Sequence, residues 1–165
     1  MLIIDSSILI SLDRAGKLKE TLESLNKKHR IIVPPSVAKE IVDDPKVFTR
    51  EIESHYPEKA RKIIESVERF QNAIEEGLIH IVQINYMKYS KDMDKIRKYL
   101  SKLDAKHEHS VKKADPELII LVLQIYEKTK EVVFFASKDK NLMKVLEILA
   151  KGKYKVIEYE DLIGK

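Results

Sequence analysis

The chain contains no cysteine and no tryptophan, and only four glycines among its 165 residues. Without thiols there is no disulfide framework, no thiolate metal centre and no cysteine nucleophile, so any bound metal must be held by oxygen or imidazole. The glycines stand alone at 16, 77, 152 and 164, which leaves neither a dinucleotide-binding fingerprint nor a phosphate-cradling P-loop. A membrane span needs roughly 18 consecutive apolar residues, and no run here is that long. Nor does a basic leader or small-residue cleavage site precede Ile3 and Ile4. A protein of the cytoplasm, off the membrane, is expected.

What is present is charge, patterned along the chain. Asp, Glu, Lys and Arg make up 35% of the residues, a balance that together with the missing cysteine leans toward heat-stable proteins. At 44% hydrophobic residues the chain can bury a real core, and one domain over residues 1–165 is expected. Between Ser90 and Lys113 eight Lys or Arg face four acids, an excess equal to the net charge of +4. Most of that excess falls on one predicted helix, with Met93, Ile96, Leu100 and Leu103 as its inward stripe and Lys91, Lys95, Arg97, Lys98 and Lys102 around it. Such a segment either holds an anionic polymer or is a solvated helix face. Tyr86, Tyr89 and Tyr99 beside it either stack on bases or pack as half-buried rings. His107-Glu108-His109 alternates as metal ligands do on a strand, but it sits in a polar loop with no third histidine nearby.

Hydrophobic periodicity gives the elements. A first strand ending at Asp5, then Ile31 to Val33, Leu78 to Ile84, Val132 to Phe135 and Tyr154 to Ile157, read as strands. Between them lie short helices through Ser11 to Asp13 and Leu18 to Leu25, the first capped by Ser6 or Ser7. A further helix over Ser36 to Val42 follows Pro34-Pro35. Ala60, Ile63, Ile64, Val67, Phe70 and Ile74 fall at helical spacing between Pro57 and Glu76. Asp115-Pro116-Glu117 starts a helix whose next stretch, Leu118 to Ile125, is apolar nearly all round and belongs in the centre of the molecule. A last helix runs from Lys138 with Leu142, Val145, Leu146 and Leu149 inward. The two ends of the chain alternate strand and helix, which predicts an α/β fold with a central parallel sheet flanked by helices. The interval at about 43–113 reads as a mainly helical elaboration.

The carboxylates fall where such a fold keeps its chemistry. Ligands gather at the carboxyl ends of parallel strands. Asp5 ends the first strand, Glu40 follows the second, Asp139 follows Val132 to Phe135, and Asp115 opens the central helix. Asp5 lies within the apolar run Leu2 to Ile10, where a charge needs compensation. Asp115 also reads as an ordinary helix cap, Ser137 with Asp139 as a cap and a favourable first-turn acid, and Glu40 as a surface helix charge. Four acids around one cavity stay ionised together only with cations to offset their repulsion. Hard oxygen donors suit Mg²⁺ or Mn²⁺, and metal-assisted phosphodiester hydrolysis is the matching reaction class. A phosphoacceptor receiver domain also places an acid after its first strand, but no isolated Asp follows a plausible central third strand here.

Four segments in order carry a resemblance. Ile3-Ile4-Asp5-Ser6-Ser7-Ile8-Leu9-Ile10, Val33-Pro34-Pro35-Ser36-Val37-Ala38-Lys39-Glu40-Ile41, Ala114-Asp115-Pro116-Glu117-Leu118-Ile119 and Ala136-Ser137-Lys138-Asp139-Lys140-Asn141-Leu142 resemble the successive motifs of PIN-domain ribonucleases. The resemblance implies a Mg²⁺ or Mn²⁺ site formed by Asp5, Glu40, Asp115 and Asp139, supported by the hydroxyls of Ser7 and Ser137. It also implies endonucleolytic cleavage of RNA, with the basic helix as its binding surface. Many such domains are VapC-type toxins held by an antitoxin, others process ribosomal RNA, and partners extend to a second copy of the chain. The interval from Glu40 to Asp115 is longer than a minimal toxin needs. Asn141 stands where some relatives carry a further acid, and Glu117 is a candidate substitute ligand. A PIN-like scaffold that binds RNA or protein without catalysis is the rival reading.

Overall fold

In the computed structural model, which describes residues 1–105 and 111–164, five strands form one parallel sheet. They are β1 (Leu2–Ile4), β2 (Ile31–Val33), β3 (His80–Ile81), β4 (Val133–Ala136) and β5 (Tyr154–Val156), in the spatial order β3-β2-β1-β4-β5. β1 lies at the centre, with Leu2 opposite both Ile31 and Phe134 and Ile3 opposite both Ile32 and Phe135. A strand covered on both faces has no solvent side, which is why Leu2-Ile3-Ile4 and Ile31-Ile32-Val33 are uninterrupted apolar runs, all of them buried. The chain lays down β1, β2 and β3 in one direction and then returns to place β4 on the other side of β1. The order therefore reverses between β1 and β4, and a crevice opens at their carboxyl ends.

The helices are α1 (Ser6–Arg14), α2 (Leu18–Asn26), α3 (Pro35–Ala38), α4 (Asp44–Ile52), α5 (Pro57–Glu75), α6 (Tyr86–Asp104), α7 (Ala114–Thr129), α8 (Lys140–Leu149) and α9 (Tyr159–Leu162). Leu118, Ile119, Ile120, Leu121 and Val122 of α7 are fully buried, as an apolar surface on every side demands. α7 packs against β1, β4, α3 and α6, which fixes the direction of its first turn at the sheet edge. Among the described residues no helix is long and apolar enough to cross a membrane. His107-Glu108-His109 lies outside the described residues.

Several local expectations are corrected. The helix after Pro34-Pro35 does not stop at Val42: α3 passes through a π-helical turn, Lys39–Asp43, into α4. Pro45 is the cause, since it has no N–H to give the carbonyl of Ile41 and its ring crowds that carbonyl. The neighbouring Asp44 N–H reaches back five residues to Lys39 instead. The strand expected over Leu78 to Ile84 contracts to His80–Ile81. There the Gln124 side chain takes the groups a longer strand would pair, donating to the Gln83 carbonyl at 2.9 Å and accepting from the Asn85 N–H at 3.0 Å. Asn85 in turn caps α6 by accepting from the Lys88 N–H. Ile64 and Leu103, expected inward, are exposed at 39% and 41%. Ile64 sits one residue round the helix from Ile63, and Leu103 lies in the last turn of α6, beside the end of its buried stripe.

Candidate active site

Asp5 leaves β1 with its N–H on the Ala136 carbonyl of β4 at 3.0 Å, which holds it at the reversal crevice. It occupies the N-cap position of α1, yet its side chain makes no capping bond. Ser6 and Ser7, expected as caps, are instead the first helical residues, and their hydroxyls serve carboxylates. Ser7 Oγ and Ser137 Oγ donate to Asp5 Oδ2 at 3.1 and 2.8 Å. Ser6 Oγ contacts Glu40 Oε2 at 2.6 Å and Asp5 Oδ1 at 3.3 Å, so its single proton favours Glu40. Hydroxyl donors and the positive end of α1 together make a carboxylate tolerable at 5% exposure. Ser137 is itself fixed, accepting from the Asp139 N–H at 3.0 Å.

The other three acids come from separate elements. Glu40 sits in the π-helical turn, a distortion that recurs at functional sites because it re-aims side chains. Asp139 itself, and not Ser137, takes the cap position of α8, with Oδ1 accepting from the N–H groups of Asn141 and Leu142 at 3.0 and 3.1 Å. Its other oxygen has no hydrogen bond among the described residues, so capping and ligation are compatible. Asp115 does not cap α7, which begins one residue earlier at Ala114 with Lys113 in the cap position. A cavity of about 1000 Å³ is lined by Asp5, Glu40, Asp115 and Asp139 together with Glu117. Burial, and then repulsion from Asp5, Asp139 and Glu40, pushes the Asp115 carboxyl up to about 7, with Lys112 pulling the other way. The four acids thus share one electrostatic field.

Among the described residues no group of three or more carboxylates and imidazoles stands close enough together to hold a metal ion as it is. Mutual repulsion opposes closer approach without a cation. Mg²⁺ in phosphate chemistry keeps several waters and takes only one or two carboxylates directly, so a wide ring of hard oxygens fits it better than a closed cage. The Asp115 carboxyl is raised first by its burial and then by the neighbouring acids, a repulsion that a bound cation would relieve.

Glu117 plays a different part. It is fully buried, with Oε1 accepting from the Ser36 N–H and hydroxyl at 3.3 and 2.9 Å and Oε2 accepting from the Tyr86 hydroxyl. One carboxylate therefore ties α3, α6 and α7 together behind the acidic cluster. Burial and then the Glu117 bond hold the Tyr86 hydroxyl well above its usual pKa, so it stays a donor. Asn141 does not enter the cavity lining; its amide donates to Asp104 Oδ1 at 2.6 Å and joins α8 to the end of α6.

The basic segment divides. Tyr86 and Asp104, near the two ends of α6, line the cavity, and Arg97 acts electrostatically on Tyr86. Lys91, Lys95, Lys98 and Lys102 are exposed and recur every three or four residues opposite the buried Met93, Ile96 and Leu100. They form an outward stripe and do not line the cavity. The cations that do are Lys39, Lys112 and Lys113. Tyr89 is buried, and Tyr99 packs against the core. Sequence reasoning missed Ser6, Ser36 and Tyr86 as parts of this site, because each acts through a carboxylate distant in sequence.

A family profile, the Halobacterial PIN domain, matches residues 1–162. No curated protein and no solved structure matches the chain. With nearly the whole chain matched and a parallel sheet flanked by helices, the chain belongs to the PIN-domain family, whose members are generally nucleases that use divalent metal ions.

Proposed function

We propose that the chain acts, as one domain over residues 1–165, as a metal-dependent endoribonuclease. The observation that carries this reading is the meeting of Asp5, Glu40, Asp115 and Asp139, from four separate parts of the chain, around one cavity at the β1–β4 reversal. These residues would hold Mg²⁺ or Mn²⁺, which when bound supplies activation of the attacking water and neutralisation of charge on the phosphoryl oxygens. Ser7 and Ser137 orient Asp5, and Ser6 orients Glu40, so that their free lone pairs point into the cavity. Lys39, Lys112 and Lys113 draw the RNA phosphates to the mouth, and the outward lysines of α6 hold flanking strand without reading its sequence. Glu117 keeps α3 and α6 in place; with its oxygens engaged it serves as a brace in preference to a ligand. The helical elaboration at 43–113 favours RNA processing in the cytoplasm over a minimal antitoxin-held toxin.

The test is a panel of single-stranded and structured RNAs incubated with Mn²⁺, Mg²⁺ or EDTA. Internal cleavage with either metal, absent in EDTA and in Asp5→Asn, is the expected result. The scaffold reading draws on the lack of a preformed metal cage among the described residues. Binding of RNA without cleavage under every metal condition would favour it.

A further inference from the structure

A second cleft of about 740 Å³ opens beside the acidic cavity, between α1, α4 and α5. Ile10, Glu40 and Asp44 line both, so the two are immediate neighbours. The second cleft has a different chemistry. Its floor is apolar, with Ile41, Val67 and Phe70 buried and Ile63 partly so, and the Phe48 ring stands 42% exposed on its wall. Its rim is cationic. Asp13, the acid on the α1 side, is consumed by Arg69, which approaches its two oxygens at 2.6 and 3.2 Å, and by Ser66 at 2.6 Å. Asp44 has Lys39 at 3.4 Å. Arg14, Lys59 and Lys62 form no ion pair among the described residues; Lys59 Nζ stands over one face of the Phe48 ring, 5.6 Å from its centre, and leaves the other face for a base.

An exposed ring beside unpaired cations is what a single nucleotide requires: a π-face for its base and positive charge for its phosphates. A duplex has its bases already stacked and offers none to such a ring, so the occupant is an unpaired segment. We propose that this cleft is a subsite for an unpaired nucleotide flanking the cleaved bond, with Phe48 stacking the base and Arg14, Lys59 and Lys62 taking the adjoining phosphates. The proposal rests on the nuclease reading above and places one nucleotide of the substrate beside its cavity. It also gives the elaboration a purpose, since α4 and α5 exist only there.

The experiment uses the full chain in EDTA, where binding is read without cleavage, and measures fluorescence anisotropy with a short labelled single-stranded RNA. A second RNA of equal length carries abasic positions, which keep the phosphates and remove the bases. Phe48→Ala is expected to weaken binding of the first RNA by roughly five- to a hundredfold, the usual effect of losing one stacking ring. It leaves the abasic RNA unaffected, and Phe48→Tyr restores binding. Lys59→Gln with Lys62→Gln flattens the salt dependence of both RNAs by about one and a half in log–log slope. If Phe48→Ala fails to fold, Phe48→Leu, which keeps bulk without a π-face, makes the same comparison. Unchanged RNA affinity, or equal loss on both RNAs, overturns the subsite. So does light scattering that shows a dimer dissolved by Phe48→Ala with RNA binding intact, which makes the face an interface between copies. Phe48-dependent binding without cleavage in Mn²⁺ would sink the nuclease reading and leave the subsite standing; cleavage with Phe48-independent binding would do the reverse.

Discussion

Two walls of the acidic cavity each bury a carboxylate, and they hold it in opposite ways. On the sheet wall Ser7 and Ser137 both donate to Asp5 Oδ2, while Asp5 Oδ1 has, among the described residues, only the more distant Ser6 hydroxyl, whose proton favours Glu40. On the helical wall Glu117 is held by a fixed backbone N–H, a serine and a tyrosine that cannot leave without opening the packing of α3 and α6 on α7. Burial alone does not separate the two; what differs is that both oxygens of Glu117 are engaged and Asp5 Oδ1 is left nearly free. Under the proposed function Asp5 is the carboxylate that engages a cation, and Glu117 keeps the partners it has.

The comparison breaks most sharply at Asp5. Asp5→Asn keeps the size of the side chain and removes its charge, so RNA cleavage should fall by more than about a hundredfold, beyond the loss usual for a residue that only supports a metal ligand. Thermal unfolding of the metal-free variant should match the parent or exceed it. A large loss of stability would make Asp5 a brace like Glu117. At Glu117 the pattern reverses: Glu117→Ala leaves buried donors on Ser36 and Tyr86 unpaired and should cost about 1–3 kcal/mol in denaturant unfolding. An undiminished midpoint would show that the α3–α6 tie is dispensable.

Asp115 sharpens the account through pH. Burial and the neighbouring acids raise its carboxyl in the folded chain to about 7 from the ordinary 3.8, so folding favours the protonated form. Stability from this group is fully present at acid pH and is lost as pH rises through about 7. Without metal, the melting temperature should therefore drop between about pH 4 and pH 7 and level off above, and Asp115→Asn should lessen the drop. The smallest effect belongs to the outward stripe. Lys95→Gln, Lys98→Gln and Lys102→Gln together should weaken all RNAs alike by a modest factor and reduce the salt slope, with metal binding unchanged. An unaltered salt slope would return the stripe to a solvated helix face.

Much of this was legible in the residues. The uninterrupted apolar runs gave the central strands, and a helix apolar on every side had to be central, as α7 is. The acids at strand exits were visible because parallel sheets carry their ligands there. Other features depend on distant partners. The π-helical turn comes from Pro45 acting on Ile41, whose effect on Glu40 no periodicity reveals. Leu78 to Ile84 has the composition of a strand and is cut short by a glutamine forty residues on. The lysines of α6 and their outward face were legible from its periodicity, but that this face does not line the cavity was decided by where α6 meets α7 and α8.

The central claim is that Asp5, Glu40, Asp115 and Asp139 form one site whose repulsion a divalent cation relieves. Thermal unfolding of the full chain at neutral pH, with EDTA and then with millimolar Mn²⁺, tests it most directly. A ligand that binds only the folded state must raise the midpoint, so Mn²⁺ should raise the melting temperature of the parent by several degrees and that of Asp5→Asn by little. An identical midpoint with and without Mn²⁺ in the parent chain would contradict the account.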